Sequence, residues 1–396
     1  MARTYIRRVA HVPQLYAAWS HISDSTKSLH RHSAGIDGES VNQFAAKADH
    51  YLHQISGALL SSAGYDFSPL KARLEPKQSG SDRVICVPTV RDRIVQRSIL
   101  DVLSQVPRIS FESDVSYGFI KGKGVRSAIR RAIDTRMSFP WAYKTDISKF
   151  FDSLERKRVH SEIRRLIRAP TLHELLIHAT CCEIRPRDTR QSKRIRRAGI
   201  RRGKGIRQGM PISPYLANLF LWDFDREVIR SGIPMVRYAD DLVLFGRSSE
   251  ECEEFHEFCM EELAKIDLGI DPVGCGKTSI HGPEDSVEFL GIAIDSIESQ
   301  YVANVPQKKI DNCRSEIMSL GNLDSLIEQR ISISGLMKKL DGKIAGWTEA
   351  YRFCKNLERF RHVLASARAR AVERVFKDGL GMTTLTRAQR EFLEIE

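Results

Sequence analysis

Apolar positions along this chain change period several times, and each change predicts an element. Residues 1 to 66 carry helical spacing and contain Trp19 and Tyr51. The apolar run Val84 to Val87 follows the turn formers Pro76, Gly80, Ser81 and Asp82, which predicts a β-hairpin between Pro69 and Pro88. A helix should follow from Arg91 to about Val106. From Trp141 to Asp152 an extended, aromatic-rich run gives way to Leu154, Val159, Ile163, Leu166 and Ile167 at helical steps, a strand running into a helix. Ser213 before Pro214 has the form of a helix start, an N-cap hydroxyl and then proline at the first helical position, and that helix should end near Gly232. Between Met235 and Gly246 two apolar strands flank Ala239-Asp240, a second hairpin. Ser248 and Glu251 form a capping box opening a helix to about Ile266, and beyond Tyr301 the pattern is mainly helical. Strands and helices alternate in the middle, helices dominate both ends, and no tandem repeat is present.

Composition adds limits. The 396 residues, 42% hydrophobic and 28% charged, describe a folded chain with room for two or three subdomains. No stretch approaches the roughly 18 consecutive apolar residues of a membrane span, and Met1 to Trp19 lacks the apolar core of a signal peptide, so a cytosolic protein without a membrane partner is expected. The eight cysteines never form C-x-x-C, which argues for reduced thiols. His21, His30 and His32 match no zinc spacing and read as surface residues, while Cys252, His256 and Cys259 share a helical face with Phe255 and Leu263 and read as packed core.

The net charge of +12 is unevenly distributed. Between Ile184 and Arg207 stand eleven basic residues against one acid, Asp188. Such density suits polyphosphate binding, because neutralised phosphates release condensed counterions; a solvated basic loop is the alternative. Within it Arg194, Arg196, Arg197, Arg201, Arg202 and Lys204 are the candidate nucleic-acid contacts. A weaker basic stretch, Lys355 to Lys377, reads as a helix with Phe360, Leu364, Ala367 and Ala371 inward and a cationic face that suits either a nucleic-acid groove or plain solvent.

Three aspartates stand at the ends of apolar strands: Asp146 after Thr145, and the pair Asp240-Asp241 after Ala239. An Asp pair in a hairpin is ordinarily a turn. Buried ionised carboxylates, however, need a compensating cation, and hard oxygen ligands select Mg²⁺ or Mn²⁺. Two such ions can activate a hydroxyl and hold a triphosphate in line. Asp146 and Asp240 would converge if their strands were neighbours in one sheet. Gly276-Lys277-Thr278 is not a P-loop, since Asp271 stands where that motif needs glycine.

Thr145 to Asp152 (TDISKFFD), Arg207 to Asn218 (RQGMPISPYLAN) and Tyr238 to Asp241 (YADD) together resemble the palm motifs of reverse transcriptases, in family order. Glu75 to Gln96 is similar to the first fingers motif of bacterial group II intron-type enzymes and Ser116 to Gly124 (SYGFIKGKG) to the second. Val287 to Gly291 (VEFLG) resembles the primer-grip hairpin, and Gly342 to Phe353 the start of a maturase-type thumb. The resemblance runs from about residue 70 to 375.

That resemblance implies an α+β fold of right-hand form: a helical extension over 1–66, fingers and a palm of antiparallel sheet plus helices over 67–300 with the basic insert 184–207, a helical thumb over 301–378, and a tail over 379–396. It implies an RNA-templated DNA polymerase with two Mg²⁺ ions, Mn²⁺ being able to substitute. Asp146, Asp240 and Asp241 would be catalytic and, with the Ile147 carbonyl, would hold metal. Phe151 matches the bulky gate against a 2′-hydroxyl, with a core phenylalanine as its alternative and Phe150 expected in the core. Gln208 and Gly209 match the nucleotide pocket, Lys77 and Arg83 the fingers residues that hold the triphosphate. Lys277 matches a lysine that protonates the leaving pyrophosphate, or else is an exposed lysine.

Among functions, intact Asp146, Asp240, Asp241, Phe151 and Gln208 speak against a non-catalytic RNA-binding protein that kept the fold, and Phe151 against an RNA-dependent RNA polymerase. Few residues follow Lys377, with no endonuclease motif among them, and the retron VTG signature is missing, so a group II intron-type maturase and a retron enzyme are less expected. The expectation is a domesticated bacterial reverse transcriptase of the antiviral-defence kind. Its partners would be a dedicated noncoding RNA as template, a DNA product, deoxynucleoside triphosphates and a protein encoded nearby. The primer could be RNA, DNA or a protein hydroxyl.

Overall fold

Local chemistry builds most of the elements where the pattern puts them. The computed structural model describes residues 4–26, 30–76, 80, 82–106, 115–379, 381, 386–387 and 389. Helices Thr4–Ala10, Val12–Ser25, Val41–Ala45 and Ala48–Leu60 occupy the N-terminal stretch, with His21, His30 and His32 exposed as expected. Strands β1 (Lys71–Pro76) and β2 (Asp82–Val87) pair antiparallel, Lys71 opposite Val87. Helix α1 (Val90–Leu103) starts where Thr89 Oγ1 accepts the Asp92 N–H. There follow α2 (Val125–Ser138), β3 (Trp141–Asp146), a short helix Phe150–Ser153, a helix Arg156–Leu166, and α3 (Thr189–Arg197), whose N-cap is Asp188.

The next helix departs from expectation twice. It starts one residue early: in α4 (Ser213–Phe220) the N-cap is Ile212, Ser213 lies inside, and its hydroxyl donates to the Arg207 carbonyl at 2.7 Å instead of capping. Nor does it run unbroken to Gly232. It stops at Leu221 and restarts as α5 (Trp222–Arg230), which buries Phe224, Asp225 and Val228.

Then come β4 (Met235–Tyr238), β5 (Asp241–Gly246), the helix Ser249–Ala264, β6 (Ser279–His281), β7 (Val287–Phe289), β8 (Ile292–Ile297), β9 (Gln300–Asn304), α6 (Gln307–Leu320), further helices Leu323–Glu328 and Ile333–Ala350, and α7 (Leu357–Arg374). Ser248 Oγ accepts the Glu251 N–H, as the capping box requires. One sheet has the strand order β4-β5-β3-β6, and β7-β8-β9 form an antiparallel sheet of their own. Cys252, Cys259 and Leu263 are fully buried, confirming that face as core. Among the described residues no helix is long and apolar enough to cross a membrane.

The chain forms two compact units interleaved in sequence. One comprises Met1–Lys123, Thr145–Leu242 and Phe255–Thr278; the other comprises Gly124–Lys144, Val243–Glu254 and Ser279–Glu396. The second is organised around Arg136, which has no exposed surface. Its Nε donates to Pro140 O at 3.2 Å, Nη1 to Ile294 O at 3.0 Å, and Nη2 to Gly282 O and Asp285 O, each at 2.8 Å. The guanidinium also lies 4.4 Å from the Tyr301 ring centroid. Helix α2 is thereby tied to β8, β9 and the turn before β7 by a side chain whose three nitrogens all donate to backbone carbonyls. In the same unit Phe360, Leu364, Ala367 and Ala371 of α7 are buried, the face its spacing predicted.

Arg136→Met should lower unfolding free energy by about 3 kcal/mol, because it removes several charge-assisted bonds from a fully buried site. Urea denaturation of the full chain at unchanged m-value is the measurement.

Candidate active site

Strand β4 ends in a two-residue turn, Ala239-Asp240, before β5 begins at Asp241. Ala239 takes φ +58°, at the first turn position, where such hairpins ordinarily place glycine. Beside it, the Ile147 N–H just past β3 donates to the Asp240 carbonyl at 3.0 Å. Asp146 and Asp240, far apart in sequence, are therefore next to a shared backbone hydrogen bond, as the strand-neighbour argument required. Burial pushes the Asp240 carboxyl above its ordinary value; the charge of Asp146 adds to this, whereas Lys277 and Arg83 oppose it.

Lys277 Nζ donates to Asp146 Oδ2 at 2.6 Å. Burial works against its charge, but the bond to Asp146 and the charges of Asp146, Asp241 and Asp240 hold its pKa above the usual lysine value. The lysine follows a loop in which Ser148 Oγ donates to Asp271 Oδ1 and Thr145 and Thr278 share a hydroxyl hydrogen bond of 2.8 Å. Lys277 is exposed, as one of the two readings expected, and its amine still lies directly on a carboxylate.

The turn rests on residues that sequence reasoning did not single out. Arg237, wholly buried, donates from Nε to Asp225 Oδ1 at 2.7 Å and from Nη2 to Asp225 Oδ2 and to Ser116 Oγ, the latter at 2.8 Å. Its Nη1 donates to Asn218 Oδ1 at 3.1 Å and to the carbonyl of Ala239 at 2.9 Å. Burial raises the Asp225 carboxyl, and Arg237 counters it. Asn218 in turn donates from Nδ2 to Gly118 O at 2.8 Å. Gly118 lies so close to the turn that a Cβ there would stand 2.5 Å from the Ala239 nitrogen. The next residue, Phe119, has φ +59°, is 55% exposed, and sets its ring 5.9 Å from that of Tyr238. An arginine three residues before an aspartate pair was the available signal, but nothing local reveals its partners.

The nucleotide-side candidates form a second group. The Gln208 carbonyl accepts the Cys86 N–H at 2.8 Å, and Gly209 has φ +102° with its α-carbon face 2.3 Å, at the Cβ position, from Cys86 O, so only glycine fits. Arg83, on the same strand β2, is exposed. Phe151 is half-buried and Phe150 is core, 1% exposed. The Phe151 carbonyl accepts the Ile206 N–H at 2.8 Å, which ties the gate candidate to the segment leading into Gln208. Lys77 lies outside the described residues.

The basic insert is less uniform than its composition suggests. Part of it is helix α3, and among the described residues Arg187 pairs with Asp188 at 3.1 Å while Arg194 and Arg207 pair with acids outside the insert. Arg194 makes a two-pronged ion pair with Asp82, 2.8 Å from Nε and 2.6 Å from Nη2, and Arg207 is buried against Glu183. Arg196, Arg197, Arg201, Arg202 and Lys204 remain exposed.

As a metal site, the described residues bring together no set of three or more Asp, Glu, His or Cys side chains. What they offer is Asp146 and Asp240 with the backbone oxygens beside them. Mg²⁺ is commonly held by one or two carboxylates together with substrate phosphates, and a buried carboxylate whose charge is disfavoured gains from such an ion, so this hard-oxygen set fits.

Comparison with known proteins agrees in kind. The family described as "Reverse transcriptase (RNA-dependent DNA polymerase)" matches residues 75–294. Protein YkfC of Escherichia coli K12 is 27% identical over 364 residues, covering 78% of this chain and 88% of its own. The retron Ec83 reverse transcriptase of Escherichia coli is 25% identical over 172 residues, covering 42% of this chain and 49% of its own. Telomerase of Candida albicans, solved with a fragment of telomeric RNA, aligns at a TM-score of 0.46 and 12% identity over 90% of this chain and 68% of its own.

Arg237→Met should cost about 3–5 kcal/mol, because it leaves the Asp225 carboxylate buried without its counter-ion. Thermal and urea unfolding of the variant would show it, and Asp225→Asn combined with Arg237→Met should recover part of the loss.

Proposed function

The chain belongs to the reverse transcriptase family and is an RNA-directed DNA polymerase, and from that premise we propose that it extends DNA at Asp146 and Asp240 by two-metal nucleotidyl transfer, copying a dedicated noncoding RNA in bacterial antiviral defence. The observation that carries the catalytic part is the Ile147 N–H to Asp240 carbonyl bond of 3.0 Å, which sets the two carboxylate-bearing residues side by side. Asp146, Asp240 and the Ile147 carbonyl, with Asp241 adjacent, would hold the ions. Bound divalent ions favour the ionised 3′-hydroxyl and neutralise triphosphate charge.

The chain's own residues do the rest. Arg83 and Lys77 hold the phosphates of the incoming nucleotide, an arginine fork matching two oxygens at once. Gln208 and the Cβ-free face of Gly209 line the pocket for base and sugar, and Phe151 fills the space a 2′-hydroxyl would need. Lys277, already on Asp146, is the proton donor to the leaving pyrophosphate: its proton passes from Nζ to a phosphate oxygen as the bond to the α-phosphorus breaks. Holding the 3′-hydroxyl and the α-phosphate in line converts a two-body encounter into a unimolecular step. Fingers and palm are assigned to 67–300 and the thumb to 301–378. The exposed arginines of the insert supply contacts to RNA phosphates, and a protein encoded nearby is a further partner. A retron reverse transcriptase among the relatives supports the dedicated-RNA role.

Asp240→Asn should reduce extension of oligo(dT) on poly(rA) roughly a thousandfold, the loss of several kcal/mol of charge stabilisation, with an unchanged melting temperature. Sequencing of nucleic acid that copurifies with the enzyme, after Mg²⁺ and deoxynucleotides are added, should give one discrete cDNA missing from that variant. Bound RNA with no new DNA would instead favour a binding protein. Phe151→Ala should lower discrimination against ribonucleotides by roughly tenfold or more in single-nucleotide incorporation, whereas a merely structural Phe151 would lower both rates together.

A further inference from the structure

Arg136, Arg207 and Arg237 are the largest fully buried side chains. Arg136 and Arg237 place Nε, Nη1 and Nη2 all on oxygens. Arg207 does not. Its Nη2 donates to Glu183 Oε2 at 2.8 Å and to Arg201 O at 2.7 Å, while Nε and Nη1 have no partner among the described residues. Its carboxylate is also shared: Arg156, buried, donates from Nη1 to Glu183 Oε1 at 2.7 Å and from Nε to Gly205 O at 3.0 Å, leaving its own Nη2 unpaired. Two buried guanidiniums thus face one carboxylate, and the excess positive charge is shielded by no other acid they touch. Burial would raise Glu183, but the Gly203 N–H and the two arginines hold its pKa below the usual value, so it stays ionised.

Arg207 lines a cleft of about 490 Å³. The cleft is lined also by Ile184, Ile195 and Ile200, which are apolar, and by Ser192, Arg196 and Arg202, which are donors. Glu183 lines the cleft too, but its charge is shared by the two buried arginines, so the lining carries net positive charge; with the apolar wall and the hydroxyl it makes a receptor for a group with an anionic end and a flat apolar body. We propose that this cleft binds a nucleoside phosphate: the phosphate goes to Arg196 and Arg202 within the field of Arg207, and the base packs on the isoleucines. The chemistry is shared by an unpaired nucleotide of a bound RNA strand and by a free nucleotide. The proposal rests on the reverse-transcriptase reading only for the choice of an RNA strand as occupant. Arg207 directly precedes Gln208, so occupancy reaches the candidate nucleotide pocket through one peptide unit.

The test is photocrosslinking of the full chain to a 4-thiouridine-containing dodecauridylate, with adducts mapped by mass spectrometry. Adducts should fall within residues 184–207, and Ile200→Trp, which fills the cleft at constant charge and leaves no room for the base, should lower their yield about tenfold. Arg202→Gln, an exposed change that leaves the fold intact, should do the same, while Arg190→Gln, on α3 but outside the cleft, should stay within about twofold. Competition by millimolar uridine monophosphate assigns the cleft to a free nucleotide; insensitivity to it assigns the cleft to the strand. Adducts only elsewhere, or equal losses for Arg202→Gln and Arg190→Gln, overturn the proposal. Extension of oligo(dT) on poly(rA), read on the same preparation, reports separately on the polymerase reading.

Discussion

A guanidinium with no access to water must place its N–H groups on oxygens, and Arg237 does so by drawing together segments that are far apart in sequence. Ser116 comes from the loop before α2, Asn218 from α4, Asp225 from α5 and the Ala239 carbonyl from the turn itself. The bond to Ala239 holds a non-glycine residue in a left-handed conformation that would otherwise cost about 1–3 kcal/mol. The geometry of the Asp240 turn is therefore a property of this buried ion pair rather than of the turn's own residues.

Other features at the site follow from the same packing. Because Gly118 sits against the Ala239 nitrogen, the loop carrying Phe119 is pressed onto Tyr238, and an aromatic ring is left exposed at the edge of the candidate site. Because Asp240 is drawn inward, its charge is disfavoured, and the nearby cations Lys277 and Arg83 compensate in part.

The three buried arginines also separate structural from ligand-seeking charge. Arg136 answers to backbone carbonyls and Arg237 to one carboxylate and three further oxygens, so each has all three nitrogens on acceptors. Arg207 and Arg156 share a single glutamate, and the surplus lies beside a cleft. Counting charge along 184–207 could not have made this distinction: Arg194 and Arg207 contribute to the count but are already paired with Asp82 and Glu183.

Both hairpins, at 71–87 and 235–246, were legible because strand alternation and turn formers are contiguous in the chain, and so were the aspartates, whose place at strand ends is a local pattern. The start of α4 was misread for the opposite reason. The Ser213 hydroxyl has a competing acceptor, the Arg207 carbonyl, that no local rule anticipates. The break at Leu221 likewise serves the burial of Asp225 against Arg237, which is a tertiary demand. Elements, family and candidate carboxylates were thus determined by residues near one another in sequence, where propensity and periodicity act. That the backbones beside Asp146 and Asp240 meet, that Lys277 lies on Asp146, and that Arg194 and Arg207 are ion-paired were decided only by the folded chain, because ion pairing and desolvation depend on groups that sequence distance does not bring together.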